Sequence, residues 1–102
     1  MKPIINKIKV ETIYSEEVGL YVADFHYRFE KELNMATDHS TGEPAECYAK
    51  VTIQYQEPIA AEKLKRWHES RAPLAESVRH FTNEQLSYII PISREEYDQY
   101  HQ

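Results

Sequence analysis

The sequence predicts a small α+β domain, a two-layer sandwich in which a long helical segment covers one face of an antiparallel sheet of three to four strands. Three observations predict it. Apolar and polar residues alternate over 20–30 and over 46–57, a helical stripe runs over 60–81, and 102 residues are enough for one core but not for two. We therefore treat residues 1–102 as a single domain.

Composition indicates an ordinary soluble protein. Hydrophobic residues make up 41% of the chain and charged residues 28%, and no window approaches the roughly 18 apolar residues of a membrane-spanning helix. Cys47 is the one cysteine, so no intramolecular disulfide can form. Ile4 and Ile5 are followed at once by Asn6 and Lys7, which leaves no apolar stretch for a secretion signal. We expect a cytoplasmic protein without membrane contact.

The first predicted strand covers residues 4–14, where Ile8, Val10 and Thr12 alternate with charged residues. Residues 20–30 are ambiguous, because the stretch from Val18 to Leu33 also fits a helical face. Strict alternation decides for a strand. Its predicted inward row is Tyr21, Ala23, Phe25, Tyr27 and Phe29.

Residues 46–57 repeat the alternating pattern and form the next predicted strand. Its apolar row is Cys47, Ala49, Val51, Ile53 and Tyr55. Cys47 is interpreted as a small buried hydrophobic residue rather than a reactive thiol.

The helical stripe steps by four and three residues along the following segment. Its members are Ala60, Leu64, Trp67, Arg71, Leu74, Val78 and Phe81. Pro73 lies inside the stripe and lacks the backbone N–H of a helix interior, so the pattern predicts a kink or two stacked helices near Ala72.

The last third of the chain carries two start signals for helices. Thr82 to Gln85 and Ser93 to Glu96 both have the spacing of a capping box, and the second one predicts a short helix through Tyr100. Between them, residues 88–92 predict a short strand, which Pro91 places at a sheet edge.

The outward row of the predicted sheet is polar and faces solvent or a partner: it comprises Asp24, His26, Arg28, Lys50, Thr52 and Gln54. Within it, Asp24, His26, Arg28 and Glu30 form a candidate binding cluster, since an imidazole between carboxylates can act as an acid or base. The alternative is a solvated strand face with cross-strand pairs.

A long connection over residues 34–45 supplies a second candidate site. It contains Asp38 and His39, whose side chains could hold a ligand, but the same residue types also occur in any flexible polar loop.

The sequence lacks the motifs of several common kinds of enzyme and binding site. Gly19 and Gly42 are the only glycines, so neither a phosphate-binding loop nor a dinucleotide fingerprint can be written on the chain. Nucleophile elbow, zinc-binding and EF-hand motifs are absent as well. Asp24 and His26 would need a third metal ligand, and no other histidine has ligand spacing. We expect no cofactor, no metal and no standard enzyme activity.

A basic segment over residues 63–71 raises nucleic-acid binding as an alternative. It includes Lys63, Arg66 and Arg71 around Trp67, which could stack on a base. The net charge of −5 and the position of Trp67 on the apolar stripe argue against it, because nucleic-acid binders usually have a basic domain.

Eight tyrosines are many for a chain of this size, and tyrosine suits protein interfaces. Tyr48, Tyr97 and Tyr100 are predicted on the surface as candidate interface residues. The leading hypothesis is therefore a non-enzymatic protein-interaction or regulatory module that binds a partner protein or forms a homodimer. A small-molecule binder or small enzyme that uses the cluster around His26 is the alternative from another class.

Overall fold

The structure, a computed structural model, describes residues 8–100. The strands in chain order are β1 Glu11–Ser15, β2 Leu20–Phe29, β3 Ala36–Thr37, β4 Pro44–Ala45, β5 Cys47–Tyr55 and β6 Ile89–Ile92. The helices are α1 Ala61–Ser70, α2 Asn83–Leu86 and α3 Arg94–Tyr100. Strands β1, β2, β5 and β6 form an antiparallel sheet, and β3 and β4 form a separate short hairpin. The predicted α+β class is confirmed.

Strand β2 lies at the centre of the sheet and pairs with the other three strands. On one edge, β5 pairs with it from Tyr21 opposite Tyr55 to Phe29 opposite Cys47. The other edge is shared by two strands, with β1 along residues 20–24 and β6 along residues 26–29. Two strands that are distant in sequence therefore lie end to end along one side of β2.

Alternation identified strands β2 and β5 correctly. Residues 20–29 are a strand and not a helix, and Ala23, Phe25 and Tyr27 are fully buried beside Phe29. Strand β5 matches the prediction for residues 46–57 to within two residues at its C-terminal end. The strand predicted over 4–14 is present only as β1; residues 8–10 have no regular structure, and residues 4–7 lie outside the described part of the chain.

The helical segment is shorter than the stripe predicts. Helix α1 ends at Ser70, and Arg71 follows in the left-handed conformation with φ of 65°. Residues 72–74, which include Pro73, form a single 3-10 turn, and hydrogen-bonded turns continue to Phe81. The predicted second helical piece is therefore absent, because Arg71 leaves the helical region and Pro73 cannot donate a backbone hydrogen bond. Leu74 and Val78 still reach the core.

The buried face of α1 also differs from the stripe. Leu64 and His68 are buried, with exposed fractions of 1% and 3%, whereas Trp67 is 36% exposed. Trp67 lies at the rim of the core, edge-on to Phe25 with ring centroids 5.7 Å apart. The covering face is thus centred between Leu64 and His68.

The two predicted capping boxes have different outcomes. At α2, the Thr82 hydroxyl accepts from the Gln85 N–H at 3.1 Å and the Gln85 side chain accepts from the Thr82 N–H at 2.8 Å. At α3, the Ser93 hydroxyl accepts from the Glu96 N–H at 3.1 Å, but the Glu96 carboxylate binds Arg28 instead of returning to Ser93. The second box is therefore half formed.

Helix α3 covers part of the face that the sequence predicts as open. His26 is only 5% exposed, and its ring lies 4.8 Å from that of Tyr97. The prediction that His26 faces solvent or a partner is wrong, because the rings of α3 cover the half of the sheet where β6 pairs with β2.

Candidate functional site

The predicted polar cluster is an ion network between the sheet and α3. The guanidinium group of half-buried Arg28 donates to the Glu30 carboxylate from Nε at 3.2 Å and from Nη2 at 3.1 Å, and it also pairs with Glu96. Burial opposes the charge on Arg28, but the hydrogen bond to Glu30 and the charge of Glu96 raise its pKa above the ordinary value. The charged groups of Arg28, Glu30 and Glu96 therefore pair with one another.

The acid–base pair suggested for His26 is not assembled. The Asp24 carboxylate accepts a hydrogen bond from the Thr52 hydroxyl at 2.7 Å, and Glu30 accepts from Arg28. Among the described residues, no hydrogen bond joins His26 to either carboxylate. Burial lowers the pKa of His26, partly offset by the charge of Asp24, so the imidazole is neutral at pH 7.

His68, which the sequence does not single out, makes the most specific polar contact of the core. Its Nε2 donates to the backbone carbonyl of His26 at 2.8 Å, while its own carbonyl accepts from the Tyr27 hydroxyl at 2.9 Å. Burial lowers the pKa of His68. The two bonds tie the end of α1 to the middle of β2. The spacing of four residues from Leu64 is the sequence signal that could have placed His68 inward.

The candidate loop over residues 34–45 folds around its own polar groups. The Asp38 carboxylate accepts from the Ser40 N–H at 2.8 Å and from the Ser40 hydroxyl at 2.7 Å. The bonds from Ser40 lower the pKa of Asp38, so the carboxylate is ionised. His39 is exposed beside it. Asp38 thus has a local role in shaping the turn, as short polar side chains often do.

Two of the predicted interface tyrosines stack on each other. The rings of Tyr48 and Tyr100 lie 3.8 Å apart at an interplanar angle of 27°. Tyr48 donates to the Glu46 carboxylate at 3.1 Å, and burial together with this contact raises the pKa of Tyr48 to about 12. Tyr97 is half-buried over His26, whereas Tyr100 is 51% exposed.

An open groove of about 640 Å³ lies beside this stack. Its lining residues are Tyr48, Ser93, Glu95, Glu96, Gln99 and Tyr100. The groove is acidic and shallow, unlike the enclosed and mostly apolar clefts that usually bind small molecules.

The basic segment around α1 is used mainly within the fold. Arg71 donates from Nε to the backbone carbonyl of Ile89 at 2.8 Å, and Lys65 pairs with Glu69 at 3.6 Å. Lys63 and Arg66 are exposed, and His68 is buried. Much of the predicted basic strip therefore supports the core or pairs along the helix.

Three large apolar side chains of the β1–β2 hairpin are exposed. Ile13 is 64% exposed, Val18 55% and Tyr14 50%, so neither the α1 side nor the α3 side of the fold covers them. We call this region, formed by β1, residues 16–19, the start of β2 and the end of β5, the hairpin end. Gly19 closes its turn with φ of 70° and donates to the Ser15 carbonyl at 2.8 Å.

Each face of the hairpin end carries apolar or aromatic side chains. On the α1 side, Tyr14, Tyr21 and Tyr55 form a row across three strands, with neighbouring ring centroids 4.9 Å and 5.7 Å apart. On the other side, Ile13 lies opposite Val22. The sequence predicts surface tyrosines at positions 48, 97 and 100, and it does not single out this row at the hairpin end.

Within residues 8–100, no three or more His, Cys, Asp or Glu side chains are grouped closely enough to hold a metal ion. No helix in that range combines the length and the apolar character needed to cross a bilayer. No family model, curated protein or solved structure matches the chain.

Proposed function

We propose that this protein is a non-enzymatic protein-interaction module whose contact surface is the hairpin end. The observation that carries the proposal is the exposure of Ile13, Val18 and Tyr14, each half or more accessible to solvent, within the single hairpin of β1 and β2. Exposed apolar side chains that lie close together in one element commonly mark binding surfaces, and aromatic residues are enriched in the centres of protein interfaces.

The charges around the hairpin end indicate the chemistry of the partner. Glu16 and Glu17 lie exposed in the turn beside Val18, whereas Glu11 at the other end of β1 pairs with Arg94. A partner with a small apolar patch surrounded by Lys or Arg would complement this surface, since rim charges steer association and exclude wrong partners. A strongly acidic partner would be repelled.

The rest of the polar surface supports a binding role over an acid–base role. Arg28 pairs with both Glu30 and Glu96, Asp24 accepts a hydrogen bond from Thr52, and His26 is enclosed under Tyr97. A general base needs access to the proton that it removes, and the imidazole of His26 lacks that access.

A comparison of two double variants tests the proposal. Ile13→Glu with Val18→Glu places two charges in the apolar surface, whereas Ala75→Glu with Ser77→Glu adds the same charge to an exposed turn away from it. With the full chain immobilised in a nuclease-treated extract of its source organism, we expect specific proteins to be retained by the wild type and by the control variant. The Ile13→Glu/Val18→Glu variant should lose them.

Either of two results would contradict the proposal. The first is that both double variants retain the same proteins as the wild type. The second is that the wild type retains proteins from an untreated extract but none from the nuclease-treated one, which would favour the nucleic-acid alternative. Because the substituted side chains are exposed, we expect both variants to keep the free energy of unfolding within about 0.5 kcal/mol of the wild type.

A further inference from the structure

Strand β5 presents a long sheet edge. It pairs with β2 on one side along its whole length, and no other strand within residues 8–100 pairs with its outer side. Nine residues of extended chain expose a row of backbone N–H and C=O groups about 30 Å long. The opposite side of the sheet differs, because β1 and β6 divide it into two short edges.

The sequence of β5 has few of the features that protect an edge strand from pairing. It contains no proline and no glycine, and its one charged residue is Lys50. Its inward row from Cys47 to Tyr55 is apolar but only half-buried, so the α1 side of the fold leaves part of this row exposed. A further strand beside β5 would cover the remaining surface.

We propose that the occupant of this edge is a second copy of the chain, with β5 pairing antiparallel to β5 of the partner subunit around Val51. In this register the whole of each strand pairs with the other. Small residues face large ones on the inward row, with Cys47 opposite Tyr55 and Ala49 opposite Ile53, while Val51 faces itself on the two-fold axis.

The charge distribution fits this symmetric pairing. No acidic residue occurs between Cys47 and Tyr55, so two chains of net charge −5 meet along a stretch where neither is negative. On the outward row, Lys50 lies opposite Thr52 and Tyr48 opposite Gln54, which leaves no like charges directly opposed. This dimer does not depend on the proposed function, because it leaves Ile13 and Val18 uncovered.

Opposite substitutions of Thr52 test the dimer. In the proposed register, Thr52→Glu faces Lys50 of the other copy twice, and Thr52→Lys creates two like-charge pairs. We expect Thr52→Glu to tighten the dimer about fivefold and Thr52→Lys to weaken it about fivefold in sedimentation equilibrium over a range of protein concentrations. Within one chain the order is reversed, because Thr52 lies opposite Asp24 on β2. Changes in folding therefore cannot imitate the expected result.

The register is tested by cross-linking in a Cys47→Ser background. The variant Val51→Cys places two thiols opposite each other at the two-fold axis, within the distance that a disulfide spans, whereas Ile53→Cys faces Ala49. Oxidised glutathione should give a covalent dimer of the first variant only. A wild type that stays monomeric at high concentration, equal effects of the two Thr52 substitutions, or preferential cross-linking of Ile53→Cys would overturn the inference. If the Ile13→Glu/Val18→Glu variant loses its partner proteins but dimerises as the wild type does, partner binding and dimerisation use different surfaces.

Discussion

The side chains of His26, which belongs to β2, and of His68, which belongs to α1, lie on opposite faces of the sheet. They are linked by the hydrogen bond from His68 Nε2 to the backbone carbonyl of His26. Both side chains are at least 95% buried, with exposed fractions of 5% and 3%. For each of them burial is the largest effect and lowers the pKa below the ordinary value of 6.5. The folded protein therefore holds two neutral imidazoles that become protonated more readily when the chain unfolds.

This arrangement predicts a loss of stability in mild acid. Below about pH 6.5 these two histidines bind more protons in the unfolded chain than in the folded chain, so the free energy of unfolding falls as the pH drops from 6.5 towards 5. Each histidine contributes a slope of up to about 1.4 kcal/mol per pH unit. His68→Gln retains an N–H donor for the His26 carbonyl and should reduce the slope in urea denaturation between pH 5 and 8. The control His39→Gln changes an exposed side chain, and an equal effect of both variants would refute this explanation.

The contrast between Trp67 and His68 shows what sequence reasoning can and cannot resolve at the level of residues. Alternation placed Phe25 and Tyr27 inward because every second side chain of a strand shares a face. On α1, the apolar character of Trp67 predicted that Trp67 is buried, whereas the buried residue is its neighbour His68. The carbonyl of His26, which binds the imidazole of His68, becomes available only through tertiary structure, so no local pattern reports it.

At the scale of elements, side-chain caps set where the short helices begin. Helix α2 has four residues, too few for stability on its own, and it begins at the reciprocal bonds between Thr82 and Gln85. The S/T-x-x-E/Q spacing predicted this start because both bonds are local. Helix α1 instead ends at Arg71 in the left-handed conformation, for which the sequence offers no glycine as a signal.

Removal of the cap at α2 should destabilise the whole domain, because α2 leads directly into β6. We expect Thr82→Ala to lower the free energy of unfolding by about 1 kcal/mol, as measured by urea denaturation. Thr82→Ser keeps the hydroxyl acceptor and serves as the matched control. Equal stability of Thr82→Ala and the wild type would show that the cap does not support the fold.

The position of α3 could not be predicted from local patterns. Its sequence has only Tyr97 and Tyr100 as large apolar side chains, so the helix has no clear apolar face. It is held on the sheet by contacts distant in sequence, which include the Arg28–Glu96 pair and the ion pair of Arg94 with Glu11 at 3.0 Å. The half of the candidate cluster that α3 covers was for this reason mistaken for open surface.

At the scale of the whole molecule, the two proposed surfaces are compatible. Antiparallel pairing of β5 joins two four-stranded sheets into one sheet of eight. The Tyr55 end of each β5 then lies beside the Cys47 end of the other, so the two hairpin ends project from opposite ends of the dimer. A dimer of this form would present two binding surfaces and gain affinity for a partner with paired sites.

Amide hydrogen exchange at several protein concentrations tests this assembly most directly. Every second amide of β5 points to the outer edge, where no strand of residues 8–100 pairs with it and where a second copy would protect it. We predict that exchange at alternate residues between Cys47 and Tyr55 slows as the concentration rises, while the amides of residues 16–19 continue to exchange rapidly. Exchange along β5 that is independent of concentration, or protection that grows at residues 16–19 instead, would contradict the account.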